Sequence, residues 1–145
     1  MRKTIRLICM ILAFSFLLAF PVSAQTGNEN RASMFFSAHN TFLSKVSENR
    51  FKICYDVTAV GIMDKLGVCE IELDRSPDGT NWELIATYEK TFYPVMVASN
   101  TASHSGYITY YTATPGYYYR AYVTFYAKDS RGTGKLSRMT ATLHM

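Results

Sequence analysis

Four residues near the end of the chain could form a binding surface. In the segment 117–128, Tyr118, Arg120, Tyr122 and Tyr126 all occupy even positions. If this segment is a β-strand, its even positions point to one face and lie about 7 Å apart along it. Tyrosine rings and a guanidinium group could then form a flat platform for sugar rings or for a partner protein. The alternative is that these side chains pack against neighbouring strands of the same sheet.

Residues that could bind a metal do not cluster. The chain has three histidines, which are widely separated and have no cysteine or carboxylate at ligand spacing: His39, His104 and His144. Glu70, Glu72 and Asp74 alternate along one segment, so their carboxylates would lie about 7 Å apart on a strand. That spacing is too wide for one calcium ion without additional carbonyl ligands. We therefore expect surface histidines, a solvated acidic strand face, and no metal or other cofactor.

The sequence lacks a recognisable catalytic motif. It contains no G-x-S-x-G nucleophile motif, and Cys54 has no histidine near it. The Gly-Thr-Gly segment 132–134 follows a predicted strand but does not precede a helix whose N-terminus could bind phosphate. Ser76–Trp82 resembles the Asp-box turn of sialidase-like propellers, yet it is one residue short and occurs once, whereas propellers need repeated blades. We expect that the protein is not an enzyme.

The first 24 residues have the features of an export signal. Three basic residues come first, an apolar run over 7–20 follows, and small residues occupy 22–24. This pattern predicts a signal helix that is cleaved between Ala24 and Gln25. The apolar run covers 14 residues, fewer than the roughly 20 that a membrane-spanning helix needs. We expect a secreted, extracellular protein with no membrane span after cleavage.

The signal also accounts for most of the net positive charge. The chain has 15 Lys and Arg against 11 Asp and Glu, and residues 1–24 hold three of the basic residues and none of the acidic ones. The remaining 121 residues therefore carry 12 basic against 11 acidic side chains. Without a clustered basic face, a nucleic-acid partner is not expected. We divide the chain into the signal peptide 1–24, a flexible polar tail 25–33 and one β-sandwich domain 34–145.

Alternating apolar and polar residues predict an all-β domain of about seven strands. The predicted strands are 35–43, 50–60, 68–75, 82–88, 106–113, 117–128 and 135–143. The segments 61–67 and 100–105 are predicted to be loops, and Ser76–Asn81 a hairpin turn. The regular spacing of short strands is typical of a single antiparallel β-sandwich.

Cys54 and Cys69 would both remain after cleavage of the signal. Export makes a disulfide between them conceivable. Alternation argues against it in part, because Cys54 would point outward, whereas Cys69 would point inward with Ile71 and Leu73. The other interpretation is a buried structural thiol at Cys69 and an exposed thiol at Cys54.

Two stretches resemble the fibronectin type III fold. Ile71–Trp82, with the sequence IELDRSPDGTNW, resembles its C strand and the following turn. Pro115–Ser137, with the sequence PGYYYRAYVTFYAKDSRGTGKLS, resembles its F strand, FG loop and the start of its G strand. The family's tryptophan ahead of the B strand has no counterpart here, because Trp82 is the only tryptophan in the chain. The stretch 89–105, in turn, has no counterpart in the family. The resemblance implies a fibronectin type III or immunoglobulin-like sandwich and leaves function open.

The resemblance also implies roles for individual side chains. Tyr119 would form a tyrosine corner, in which the hydroxyl bonds to the backbone a few residues upstream. The C strand would lie beside the F strand, so that the acidic row 70–74 would face Arg120 and pair with it. An export signal followed by one such domain is, in addition, similar to small secreted proteins of unknown function found in Gram-positive bacteria.

We expect a secreted, non-catalytic binding module that contacts a protein or carbohydrate at the cell surface. Its candidate face combines the tyrosine row with the loops Asp78–Asn81 and Asp129–Gly134. Two alternatives stay open. One is a structural or assembly subunit that pairs through an exposed edge strand. The other is a small secreted toxin or enzyme with a pocket of convergent polar groups.

Overall fold

The described part of the protein is a single antiparallel sheet of seven strands that curls into a half-barrel. A computed structural model describes residues 34–145. The strands are β1 (Phe36–Ser47), β2 (Arg50–Ser76), β3 (Glu83–Glu89), β4 (Val97–Tyr110), β5 (Tyr118–Asp129), β6 (Gly132–Met139) and β7 (Leu143–His144), and a short 3-10 helix, Pro94–Met96, precedes β4. The predicted all-β, antiparallel class is confirmed. The finer prediction of a fibronectin type III or immunoglobulin-like sandwich stays a prediction, and the predicted signal helix and polar tail lie outside the described residues.

The 27-residue strand β2 is the centre of the sheet. Its first half pairs with β1 on one edge and β4 on the other. Its second half pairs with β5 on the β1 side and with β3 on the β4 side. β6 and β7 then pair with the outer edge of β5. Every strand except β6 and β7 is therefore hydrogen-bonded directly to β2.

Two predicted loops are wrong, because both segments are strands. Residues 61–67 continue β2, and residues 100–105 belong to β4, with Met63 paired to Thr101 and Leu66 to Ala98. The register shifts between 58 and 63, which marks an irregular stretch that interrupts the alternation of inward and outward side chains. A strand prediction that relies on strict period-two alternation is therefore wrong where the register shifts.

The core contains the side chains that alternation placed inside. Ile53, Ile71 and Val123 are fully buried. The rest of the large fully buried set comes mainly from β2 and β5: Phe51, Tyr55, Val57, Met63, Leu66, Val68, Leu73, Met96, Tyr119 and Phe125. Burying one such side chain contributes about 1.5–3 kcal/mol relative to leaving it in water. The curl of the sheet brings β1 over β5, so that the ring of His39 lies 5.5 Å from that of Phe125.

Candidate functional site

The even-numbered side chains of β5 lie on the outside of the second half of the sheet. Strand register sets their neighbours: Asp74 lies opposite Arg120, and Glu72 lies opposite Tyr122. Farther out, Leu84 of β3 pairs with Asp74, and Met139 of β6 pairs with Tyr122. We call this four-strand surface of β3, β2, β5 and β6 the outer face.

Arg120 is at the centre of the outer face and stacks between two aromatic rings. Its guanidinium carbon lies 4.1 Å from the ring centre of Trp82 and 5.4 Å from that of Tyr122. Its Nε donates a hydrogen bond to Oδ2 of Asp74 at 3.1 Å. The side chains of Arg120 and Asp74 are only 21% and 13% exposed. Shielding from water strengthens the cation–π contacts and the ion pair, so this group of four side chains is held in a fixed arrangement.

Trp82 is positioned by the turn between β2 and β3. Asp78 accepts hydrogen bonds from the backbone amides of Thr80 and Asn81, each at 2.8 Å, and from the hydroxyl of buried Ser76 at 2.9 Å. Bonds from the Asn81 and Thr80 amides hold the pKa of Asp78 well below its usual range. The turn therefore has a defined shape, and it positions Trp82 against the guanidinium group of Arg120.

Tyr118 and Tyr119 lie at the start of β5 and face opposite ways. The Tyr118 ring stacks on His144 of β7, with ring centres 4.4 Å apart and an angle of 26° between the planes. Tyr119 is fully buried, and its hydroxyl accepts a hydrogen bond from the amide of Thr114, five residues upstream, at 2.8 Å. This contact has the form of a tyrosine corner.

Tyr126 lies apart from the Arg120 group. It is only 9% exposed, and the ammonium of Lys90 lies 3.5 Å from the centre of its ring. The segment between β3 and β4 therefore covers Tyr126, while Tyr122 remains half-buried at the surface. The tyrosine row thus divides into Tyr118 with His144, Tyr122 with Arg120, and Tyr126 with Lys90, and it is not one continuous platform.

The two loops of the predicted face are not brought together. Asp78–Asn81 lies beside Tyr118 at the start of β5, and Asp129–Gly134 follows the end of that strand. At the rise of a β-strand, the 12 residues of β5 separate the loops by roughly 35 Å. A compact ligand on the outer face can contact the first loop but not both.

The arrangement on the outer face can bind a ligand but offers no nucleophile. Arg120 is neutralised by Asp74, and Glu72 lies beside Tyr122. Within residues 34–145, no group of three His, Cys, Asp or Glu side chains could hold a metal ion. His39 and His104 flank Val57 on opposite edges of β2, and His144 lies on β7. Burial, with a smaller contribution from Arg138, lowers the pKa of His39.

Sequence reasoning missed three side chains of the outer face. Alternation predicts only that Trp82 begins a strand, and it gives no role to Leu84 or Met139. Leu84 and Met139 are 55% and 51% exposed. Leu84 lies beside Asp74 through the β2–β3 pairing, and Met139 lies beside Tyr122 through the β5–β6 pairing. The alternation within a single strand does not predict which residues of two strands become neighbours.

Cys54 and Cys69 are free thiols on the same strand, β2. Cys54 is half-buried on the outside of β2, opposite Phe42 and Tyr107. Cys69 is buried at a register shift between Val68 and Glu70. It is absent from the core cluster, and its thiol donates to the carbonyl oxygen of Thr124 at 3.5 Å. The predicted burial of Cys69 is confirmed, but at this irregularity Val68 is the residue that belongs to the core cluster.

The difference in burial predicts two rates of thiol modification. In the folded protein without its signal, a thiol reagent such as Ellman's reagent should modify Cys54 first and Cys69 only after unfolding. Burial raises the pKa of both thiols, and Cys69 is additionally shielded from the reagent. Cys54→Ser should abolish the fast phase, and Cys69→Ser should leave it intact. Absence of any free thiol before reduction would instead show that the two cysteines form a disulfide.

Comparisons with known proteins give only a weak structural likeness. No family model matches the chain, and no curated protein matches it. The chain is similar to the crystal structure of Spo0M, a sporulation control protein from Bacillus subtilis, with a TM-score of 0.40 and 8% sequence identity. The match covers 70% of this chain and 47% of Spo0M, so the chain spans about half of that protein's length. In the described part of this chain, no helix is long and apolar enough to cross a membrane.

Proposed function

We propose that the protein is a secreted, non-catalytic binding module whose outer face holds a protein partner. The observation that carries the proposal is the fixed group of Trp82, Arg120 and Tyr122, flanked by exposed Leu84 and Met139. Tryptophan, tyrosine, arginine and methionine are the side chains enriched at protein interfaces. Because this group is already ordered, a partner would lose little side-chain entropy on binding it.

A protein fits this face better than a carbohydrate. Sugar recognition needs hydrogen-bonding groups beside an aromatic ring, whereas Arg120 is packed against the rings of Trp82 and Tyr122 and its Nε already donates to Asp74. Leu84 and Met139 add aliphatic surface on either side, which an apolar side chain of a partner could cover. The carboxylate of Glu72, next to Tyr122, offers an acceptor at the rim.

The proposed location outside the cell rests on the sequence of residues 1–24. When the complete gene is expressed in a bacterial host, the protein should be recovered outside the cytoplasm with Gln25 as its first residue. Intact mass spectrometry measures this directly, since loss of residues 1–24 changes the mass by a calculable amount. An uncleaved chain retained in the cytoplasm would contradict export.

We also propose that the fold is a variant of the fibronectin type III or immunoglobulin-like class. The hydrogen bond between Tyr119 and Thr114 supports this assignment, as does the antiparallel pairing of the segment at Ile71 with the segment at Val123. Those are the segments that resemble the C and F strands.

Tyr122→Ala is the variant that tests the outer face. Fluorescently labelled protein is added to intact cells of the producing organism, and bound label is measured by flow cytometry. We expect the variant to bind about tenfold more weakly, as truncation of an interface aromatic does. Its stability should fall by no more than about 1 kcal/mol, because Tyr122 makes cross-strand contacts outside the core. Phe42→Ala is the matched control, since Phe42 is an aromatic residue 46% exposed on the other half of the sheet.

Protease treatment of the cells identifies the chemical class of the partner. Binding that disappears after surface proteins are digested supports a protein partner. Binding that survives digestion but is competed by soluble surface polysaccharide would favour a carbohydrate. Equal binding of the wild type and Tyr122→Ala, at equal stability, would remove the outer face as the binding site.

A further inference from the structure

We propose that a cleft beside Tyr126 is a binding site for phosphate groups. The cleft has a volume of about 380 Å³ and is lined by Lys65, Lys90 and Lys128, together with Thr91 and the ring of Tyr126. This site is separate from the Arg120 group, and it goes beyond the proposed partner-binding function.

The fold forces two of the lysines together. Lys65 of β2 and Lys128 of β5 are directly opposite each other in the antiparallel ladder. Like charges in that position repel and destabilise the sheet. Lys90, which follows β3, places a third ammonium over Tyr126 at 3.5 Å from the ring centre. All three lysines line the same cleft, so the arrangement fits a ligand that supplies negative charge.

The three lysines form no ion pair with the carboxylates of the described residues. The three ion pairs of those carboxylates, Arg75–Glu83, Arg120–Asp74 and Arg131–Asp129, involve arginines and leave out all three lysines. Lys65 donates a hydrogen bond to the hydroxyl of Ser99 at 2.8 Å, which fixes its position without changing its charge. The nearby acidic residues Glu70 and Glu89 face each other across β2 and β3, outside the cleft lining.

One wall of the cleft is formed by the segment that contains the 3-10 helix. Pro94 begins this helix and Val97 follows it, and the helix packs closely on β2 at Gly67. The cleft is open to solvent, and Lys65 and Lys128 are exposed, so a phosphate group can reach their ammonium groups directly. Lysine acts as a point charge toward phosphate, and the Thr91 hydroxyl can donate a hydrogen bond to a phosphate oxygen. A dianionic phosphate or a pyrophosphate matches three ammonium groups better than a single carboxylate does.

Phosphate groups could come from a small ion or from a lipid headgroup, and two probes distinguish these sources. Inorganic pyrophosphate is titrated into the purified protein at low ionic strength, and backbone amide shifts of Lys65, Thr91 and Lys128 are followed by NMR. Separately, the protein is mixed with vesicles of phosphatidylglycerol or of phosphatidylcholine, and co-sedimentation is measured. Saturable shifts with pyrophosphate assign a site for soluble phosphates. Binding to the anionic vesicles alone assigns a headgroup site, and either result supports the proposal.

Charge removal tests whether the cleft itself binds the anion. Lys90→Gln and Lys128→Gln should each weaken binding of the effective probe about fivefold, since each removes one charge-assisted contact. Lys45→Gln, on exposed β1, is the matched control and should change affinity less than twofold. Without any anion, Lys128→Gln should fold as stably as the wild type or more so, because it relieves the repulsion from Lys65.

Three results would overturn the proposal. The first is that neither pyrophosphate nor the anionic vesicles bind. The second is equal weakening in Lys45→Gln and Lys90→Gln, which would show general surface attraction. The third is binding that is unchanged in both cleft variants. None of these results bears on the outer face, because the cell-binding experiment with Tyr122→Ala uses a different variant and a different ligand.

Discussion

Gly67→Ala is expected to destabilise the domain by about 3 kcal/mol or more, and to lower its melting temperature by roughly 10 °C. Gly67 has a φ of 155°, a conformation that side chains other than glycine rarely adopt. A Cβ atom at this position would collide with the carbonyl oxygen of Met96 and lie 2.8 Å from Cα of Val97. Both contacts are with backbone, so no side-chain rotation can relieve them. Chemical denaturation followed by circular dichroism measures the loss.

Two other glycines separate the causes of this effect. Gly61→Ala should be nearly neutral, because its φ is not positive and no atom lies within 4 Å of the added Cβ. Gly116→Ala tests the backbone conformation alone, since its φ is 82° and the space around it is open. We expect Gly116→Ala to cost about 1–2 kcal/mol, between the other two variants. If Gly67→Ala were as mild as Gly61→Ala, the close packing of the 3-10 helix on β2 would be incorrect.

Stability should also fall by about 2–3 kcal/mol between pH 10 and pH 12 because of Tyr55. Tyr55 is only 2% exposed, and burial raises its pKa from 10.0 to about 12. Below pH 10 the phenol is neutral in the folded and unfolded chains, so its contribution to stability is fully present. Above pH 10 the unfolded chain loses the proton while the folded protein keeps it, and this favours unfolding. The effect levels off once the pH exceeds the folded pKa.

Tyr55→Phe isolates this contribution from other groups that titrate at high pH. The variant should lose less stability than the wild type between pH 10 and pH 12, measured by urea unfolding at each pH. At pH 7 it should be as stable as the wild type or about 1 kcal/mol more stable, because the buried Tyr55 hydroxyl has no hydrogen-bond partner among the described residues. Tyr88→Phe is a comparison at a second tyrosine whose pKa burial raises to about 12, but it is partly exposed, so its effect should be smaller. Parallel pH curves for the wild type and Tyr55→Phe would contradict the assignment.

The strands with regular alternation could be predicted from the sequence because one face of each strand is buried in the core and the other is not. Along 51–57, the odd residues are buried and the even ones are not, as period-two alternation requires. The continuity of β2 through 61–67 was not predictable on that basis. In the sequence, Gly61 and Gly67 predict the ends of strands. In addition, the register shift interrupts the alternation of buried and exposed residues at the point where the strand changes partners from β1 to β5. What decides the conformation there is packing from β4 and the 3-10 helix, which are distant in sequence.

The outer face was predictable in part, for a related reason. The spacing of Tyr118, Arg120 and Tyr122 correctly placed them on one side of β5, and the fibronectin-like arrangement implied the contact between Asp74 and Arg120 that the structure contains. The burial of Tyr126 depends on Lys90, which reaches it from a segment without alternation. The lysine cleft was not predictable either. Lys65, Lys90 and Lys128 are separated by 25 and 38 positions in the chain, and no local run of basic residues marks the cleft.

The shared strand β2 also determines how the domain can be divided. A cut within 59–63 would leave one fragment with β1 and the first part of β2, and another that contains the rest of β2 with β3 to β7. The first fragment would be a two-stranded hairpin, which is at best marginally stable in water. The second would expose an unpaired edge of β4 that is prone to aggregate. Split-protein reporters and circular permutants of this domain would therefore be better opened at the tip of the 76–81 turn, where no ladder is interrupted.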